Sequence, residues 1–290
     1  MNFLSKLFWP ITAPIRFIQN NFKTVLFLAI IFYIVQSSDQ AKLEQPNLQV
    51  INLTGPIMVV DEVLEKIQIA KNDPNIKGVL LSVNSPGGAV APSVEVAYAI
   101  KDLKSVKPVV AYASGVMASG SYYASIWADK IVANPGSMIG SIGVIMQSVD
   151  ASELISKIGI KTQTVKVGEY KEAGTPTREW TTQERDELEK ITKNTYNMFV
   201  TDVANARKLK VEDHKIYADA HIFTSSGAKA VGLIDEVATI SKAKSMLVTL
   251  SGVSNPIWSK EDKMDKFMEK IINGSIQNIS SQFTSQLVAY

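Results

Sequence analysis

The chain has 290 residues, 46% of them hydrophobic, which suffices for one large domain or two small ones with a buried core. Its formal net charge is +2 and the basic residues are spread out, so no nucleic-acid-binding stripe is present. Cysteine is absent, which excludes disulfides, cysteine nucleophiles and thiolate metal sites, and any histidine chemistry must use His214 or His221.

The first predicted element is apolar. "TVLFLAIIFYIV", Thr24 to Val35, carries no charge. Twelve helical residues cover only about 18 Å of a hydrocarbon core of about 30 Å, so the crossing needs flanking residues such as Lys23, which can snorkel. Lys6, Arg16 and Lys23 precede the run, which places the N-terminus in the cytoplasm and the remainder on the periplasmic or extracytoplasmic side. The expectation is a cytoplasmic segment over 1–22, a single-pass anchor in the inner membrane over 23–38 and a linker over 39–47. No small-x-small site follows, which favours an uncleaved anchor over a cleaved signal peptide or a buried core helix. Upstream, "FLSKLFWPITAPIRFI" mixes aromatic and basic residues and can lie flat on a membrane surface or form an unstructured leader.

Residues 48–250 then alternate in period. "LQVINLTG", "IKGVLLSV" and "KPVVAYA" read as strands, and "VVDEVLEKIQIA" and "VEVAYAIKDL" as helices. A helix is expected over Ala118 to Ala128, strands at "DKIVA", "GVIMQ" and "KTQTVKVG", and a helix at "ASELISKIG". Thr181 to Lys208 predicts a long helix opened by the capping-box pattern Thr181-x-x-Glu184. "GLIDEV" closes the domain. Alternating strands and helices imply an α/β fold with mainly parallel, buried strands. In the tail, 251–290, Met264, Phe267, Met268, Ile271 and Ile272 fall at helical spacing, for a partner, a membrane surface or the chain's own domain.

Three glycine-containing loops follow strands, where sites form in open parallel sheets. "NSPGG", Asn84 to Gly88, can turn bare backbone N–H groups toward an oxyanion, cradle a phosphate or simply turn the chain. No P-loop Lys-Ser/Thr follows it. "YASGVMASGSYYAS" sets Ser119 at the mouth of a helix, as a cap or as a nucleophile with Gly120 beside it. "GEYKEAGTP" carries Lys171 between Gly168 and Gly174. A lysine base must move from about 10.4 to near 7 or 8, a destabilisation of its ammonium by about 4 kcal/mol that burial can supply. Ser141 in "IGSIGV" is a candidate to hold such an amine. Neither histidine sits in these loops, and no His-x-x-x-His or carboxylate cluster suggests a metal.

In this order, "NSPGG", "MASGSYY", "GSIGVI", "GEYKEAGTP" and "ADAHIFTSSGAKAVGLIDEV" resemble the signal peptide peptidase A family of membrane-bound Ser-Lys serine proteases, over roughly Gln49 to Thr239. The resemblance implies a ClpP/crotonase-like fold of stacked ββα units. It implies Ser119 as nucleophile, Lys171 as general base, Ser141 as the serine that positions the lysine, and Gly87, Gly88 and Gly120 at the oxyanion hole. It implies no cofactor, peptide substrates such as remnant signal peptides, and dome-like homo-oligomeric rings whose serine and lysine come from neighbouring subunits. A protease processing one specific membrane protein, and a non-catalytic scaffold on the same fold, are the alternatives. A crotonase-type hydratase or isomerase is disfavoured because no acid pair lies near the oxyanion loop. One departure is Ser121 where the family usually has glycine, and its side chain is expected to narrow the pocket floor.

Overall fold

The computed structural model describes residues 19–40 and 45–259. The chain divides into two compact units, Met1–Gln45 and Pro46–Tyr290. In the first, helix α1 spans Phe22–Gln40, with Leu26, Phe27, Ile30 and Phe32 exposed. No helix among the described residues is long and apolar enough to cross a membrane. The anchor expected over 23–38 is therefore not supported: its uncharged apolar run ends at Val35, and Gln36 to Gln40, which complete the helix, are polar. The leader before residue 19 and the tail helix beyond residue 259 lie outside the described residues.

The second unit is an α/β layer structure. Strands β1 (Leu48–Thr54), β2 (Gly78–Ser85), β3 (Val109–Ala118), β4 (Lys130–Ala133) and β7 (Glu236–Val237) form a parallel sheet in that order. Strand β5 (Met138–Gly140) pairs with the far end of β3 and takes β6 (Ile222–Thr224) antiparallel on its other side. Helices α2 (Asp61–Asn72) and α3 (Val90–Lys104) connect β1 to β2 and β2 to β3. Parallel neighbours need such crossovers, and helices on both faces explain why Gly78–Leu81 is buried without interruption.

Strand residues alternate between two cores. Val79, Leu81, Val109 and Ala111 face the larger one with α2, α3 and the long helix α6 (Thr182–Arg207). Leu80, Val110 and Tyr112 face the other, closed by Ala243 and Leu247 of α9 (Ile240–Ser251), which follows the short helices α7 (His214–Tyr217) and α8 (Ser225–Ala230). The tail begins by pairing rather than dangling: the N–H of Leu48 donates to Ile257 O at 3.1 Å, and the N–H of Ser259 donates to Leu48 O at 2.8 Å.

The long helix starts as its sequence predicts. Glu184 N–H donates to Thr181 Oγ1 at 3.2 Å and Thr181 N–H donates to Glu184 Oε2 at 3.0 Å, closing the capping box. Other expectations fail. "GVIMQ" and "KTQTVKVG" are not strands; they run through a long excursion, 142–181, whose one helix is α5 (Ser152–Lys157). Most of their apolar residues lie open to solvent: Ile145 is 85% exposed, and Val165 and Val167 are fully so. A strand needs a neighbour, and periodicity does not provide one. The helix expected from Ala118 is only Gly120–Ser125 (α4), because β3 continues to Ala118.

Leu80→Ala tests the smaller core. Leu80 is completely buried between β2 and α9. The expected loss is about 2–5 kcal/mol of unfolding free energy, read as a lower denaturation midpoint at unchanged slope.

Candidate active site

The site begins with a defect in strand pairing. Val83 pairs with Ala113 and Ser85 with Met117, so three residues of β3, Ser114–Val116, stand against the single residue Asn84 of β2. Asn84 fills the bulge: its Oδ1 accepts from Val116 N–H at 3.0 Å, and Ser114 Oγ donates to Val83 O at 3.1 Å. Bulges re-aim strand ends beside sites. This one carries the end of β3 against the glycine strip that follows β2.

The strip is held from outside by Ile57. Its N–H donates to Gly87 O at 2.9 Å, and its carbonyl accepts from Ala89 N–H at 2.8 Å. In such a parallel bridge the N–H of Gly88 itself points away from Ile57, and Gly88 N lies 3.3 Å from where a Cβ on Gly120 would sit. The approach there excludes side chains. A Cβ on Gly87 would sit 2.6 Å from Gly120 N and 2.8 Å from Ser119 Cβ; one on Gly88 would sit 2.2 Å from Ile57 O. Among the described residues, neither the Gly88 N–H nor the Gly120 N–H has an acceptor.

Ser119 occupies the turn between β3 and α4 with φ 53° and ψ −125°. Its side chain makes no capping bond, which removes the capping alternative. The turn is clamped by its backbone: Ser119 N–H donates to Gly140 O at 2.8 Å, and Ser119 O accepts from Tyr123 N–H at 3.0 Å. Ser121 does not narrow the pocket. It is fully buried behind the turn, donating to Ser85 O and accepting from Ala118 N–H at 2.9 Å. Its hydroxyl ties the ends of β2 and β3 together.

A cavity of about 1020 Å³ opens in front of Ser119. Gly87, Gly88, Gly120 and Ser141 line it, with Val90, Val94 and Tyr123 on one side and Leu188, Thr192, Tyr196 and Phe199 of α6 on another. Tyr123 and Phe199 meet edge to face with centroids 4.7 Å apart. Burial, then its bond to Asp202, raises the Tyr123 hydroxyl well above the usual phenol range, so it stays neutral.

Five non-glycine residues among those described have positive φ, and four of them line this cavity: Ser119, Ser141 (φ 50°), Asp219 (φ 55°) and Ala220 (φ 58°). Such conformations cost about 1–3 kcal/mol each and persist where the surroundings impose them. Here the clamps are Ser141 N–H to His221 O at 2.7 Å and Ala220 N–H to Ile142 O at 2.9 Å. Asp219 and Ala220, in the quoted "ADAH", were not singled out from sequence; neither were Trp180 and Tyr196, which line the same cavity, and only their chain-distant neighbours mark them. The rings of both histidines stay out of the cavity lining; His214 Nδ1 pairs with Tyr196 Oη at 2.9 Å.

Lys171 is elsewhere. It is exposed, on a turn closed by its N–H donating to Gly168 O at 3.3 Å, and it does not line the Ser119 cavity. The adjacent Glu172 belongs to an ionic chain. Lys166 Nζ lies 2.8 Å and Arg178 Nη2 3.1 Å from Glu172 Oε2, and Arg178 grips Glu184 with both terminal nitrogens, at 2.8 and 2.7 Å. Bonds from Lys166 and then Arg178 hold the Glu172 carboxyl down to about 2; Arg178 and then the Thr181 N–H do the same for Glu184.

A sequence model of peptidase family S49 matches residues 101–254. A candidate protease of Methanocaldococcus jannaschii is 44% identical over 186 residues, 64% of this chain and 60% of the relative. A candidate signal peptide peptidase SppA of Enterococcus faecium is 35% identical over 175 residues, 60% of this chain and 50% of the relative. The chain thus spans less than two thirds of the length of these relatives. A solved membrane-bound stomatin-specific protease, in mutant form, is similar with TM-score 0.51 and 17% identity, covering 75% of this chain and 99% of that one. That likeness shows a shared α/β fold.

The ionic chain gives an acid test. Its carboxyls lie below the ordinary value of about 4.3, so their contribution to stability is complete above roughly pH 4.5 and is lost as pH falls from there toward about 2. Melting temperatures recorded down this range should fall for the wild type and fall less steeply for Arg178→Met. Equal slopes would show that the pairs add nothing to stability.

Proposed function

The chain belongs to peptidase family S49, and we propose that it is a serine endopeptidase using Ser119 as nucleophile and Lys171 as general base. The carrying observation is the uncapped, strained Ser119 beside two backbone N–H groups, those of Gly88 and Gly120, that have no acceptor among the described residues. Ser119 Oγ adds to the peptide carbonyl while its proton passes to the lysine amine. The oxyanion forms where the Gly88 and Gly120 N–H groups converge. The lysine returns the proton to the departing amine, leaving an acyl-serine that water hydrolyses by the same route. Gly87 shapes the strip, and Ser141, on the same cavity wall, positions the lysine.

In this reading the dyad forms between copies of the chain. Lys171 is exposed and outside the Ser119 cavity, and a lysine serves as base only where burial destabilises its ammonium. The excursion that bears it also presents Ile145, Val149, Leu154, Ile158, Ile160, Val165 and Val167 to solvent. Exposed apolar residues concentrated in one segment in this way favour an interaction site. A homo-oligomeric ring would cover it and bring the lysine to a neighbour's serine, in the ClpP/crotonase-like class that the family resemblance implies.

The walls contributed by Val90, Val94, Tyr123, Leu188 and Phe199 suit small or apolar side chains. Remnant signal peptides and unfolded segments at a membrane have that chemistry. The exposed apolar residues of α1 and the basic residues before it support work at a membrane surface.

Ser119→Ala and Lys171→Ala should each lower hydrolysis of an apolar fluorogenic peptide by about 10³-fold or more. Co-assembly of the two inactive variants should recover activity at about a quarter of the interfaces, because each such interface pairs an intact serine with an intact lysine. Normal turnover by either single variant would end the dyad reading; no recovery on mixing would end its assembly between copies. Gly88→Ala, which forces the strip off Ile57, should lower kcat by about 10²-fold.

A further inference from the structure

The loop that carries Lys171 has little to hold it. Val165 and Val167 before it are fully exposed, and a Cβ added at Gly168 or Gly174 would meet nothing within 4 Å. Both glycines have positive φ, 103° and 90°. Apolar packing, which fixes most elements of this fold, therefore contributes little here. Some hydrogen bonds remain: Ser148 Oγ donates to Gly174 O at 3.1 Å, Ala151 N–H donates to Pro176 O at 2.8 Å, and Trp180 Nε1 donates to Thr175 O at 2.9 Å.

The ionic chain supplies the remaining ties, and it ends on a rigid element. Glu184 is only 2% exposed and belongs to the capping box of α6, the helix whose next turns, at Leu188 and Thr192, line the Ser119 cavity. Arg178 holds this carboxylate with two parallel bonds, a planar geometry that a lysine cannot reproduce. The same guanidinium reaches Glu172, the residue after Lys171, and Lys166 meets the same carboxylate oxygen, Oε2. Surface ion pairs are ordinarily weak. This one differs because one carboxylate is buried and the guanidinium grip on it is two-point.

We propose that Arg178 is a positioning residue: by bridging Glu184 to Glu172 it fixes the loop that presents Lys171 to the nucleophile. The proposal rests on the reading of Lys171 as the base. It assigns to Arg178 no contact with substrate. The bridge has a second consequence: with Lys166 and Arg178 both on Oε2, the Glu172 carboxylate already has two cationic partners, and among the described residues no ion pair joins it to Lys171. Loss of Arg178 therefore loosens the base and leaves a carboxylate next to it with one partner fewer.

The test is steady-state kinetics on the assembled full-length protein with an apolar fluorogenic peptide, for Arg178→Met, Arg178→Lys and Glu172→Gln. Oligomeric mass and melting temperature are recorded for each. Arg178→Met should lower kcat by about 10- to 100-fold with KM changed by less than about twofold, since a misplaced catalytic group costs rate rather than binding. Arg178→Lys should recover part of that loss, and Glu172→Gln, which leaves the Arg178–Glu184 pair intact, should show the same kcat-only pattern at smaller amplitude. A kcat within about twofold of wild type in assembled Arg178→Met would overturn the proposal, as would an effect on KM alone. Equal loss in the Lys and Met variants would also overturn it. If neither Arg178→Met nor Glu172→Gln assembles, the network is a folding element and the proposal fails. The dyad reading is tested separately: turnover retained by Lys171→Ala removes it, whereas turnover retained only by the Arg178 variants leaves the dyad standing.

Discussion

The constraint on which the site depends is the distance between two pieces of backbone. Gly87–Gly88 and Ser119–Gly120 approach so closely that a Cβ on Gly87 would overlap Gly120 N, and one on Gly120 would lie 2.2 Å from Ser93 Oγ. Nothing larger than glycine fits at these points. The approach is reached because β3 takes two more residues than β2 across the Asn84 bulge and so arrives above the strip. Ile57 then holds the strip from behind, which leaves the Gly88 N–H pointing away from it. Backbone donors fixed in this way need no reorganisation when charge develops, which is the physical basis of oxyanion stabilisation.

Around this contact the structure uses small polar side chains as internal fasteners. Ser121 joins Ser85 O to the Ala118 backbone, Ser137 Oγ donates to Ala113 O at 3.0 Å, and Ser225 Oγ donates to Ser137 O at 3.2 Å. All are buried and satisfied. Buried polar groups are tolerable when every bond is made, and they then specify one geometry more sharply than apolar packing does. The four left-handed residues around the cavity sit inside this fastened zone, and the sheet hydrogen bonds of β5 and β6 keep Ser141 and Ala220 from relaxing.

The excursion 142–181 follows a different logic. It contributes no fully buried side chain after Ile142, and its order comes from turns, glycines and ion pairs. Charge interactions of this kind are directional but shallow in free energy. Such a segment can keep a definite geometry while its apolar residues stay exposed. The contrast with the sheet, where strands are covered on both faces, explains why one chain contains both a rigid serine turn and an arm with exposed apolar residues.

How much of this could be read from the residues follows the same division. The strand–helix alternation through Lys104, the parallel sheet and the capping box at Thr181 were legible, because hydrophobic period and capping chemistry are local properties of the chain. The glycine and serine loops were also visible as strand-end features. The pairing of β5 with β6, the bulge at Asn84 and the convergence of Asp219–Ala220 with Ser141 were not, since each depends on which distant segment lies alongside. The same limit explains the missing strands at "GVIMQ" and "KTQTVKVG": their residues favour extension, but no strand edge is there to pair with them. Sequence alone thus determined the elements and the chemical groups that the loops could offer. Only the tertiary structure decided that Ser119, Ser141 and the glycine strip share one cavity while Lys171 stands outside it, because the distance between loops is set by sheet register and packing, which no short stretch of residues encodes.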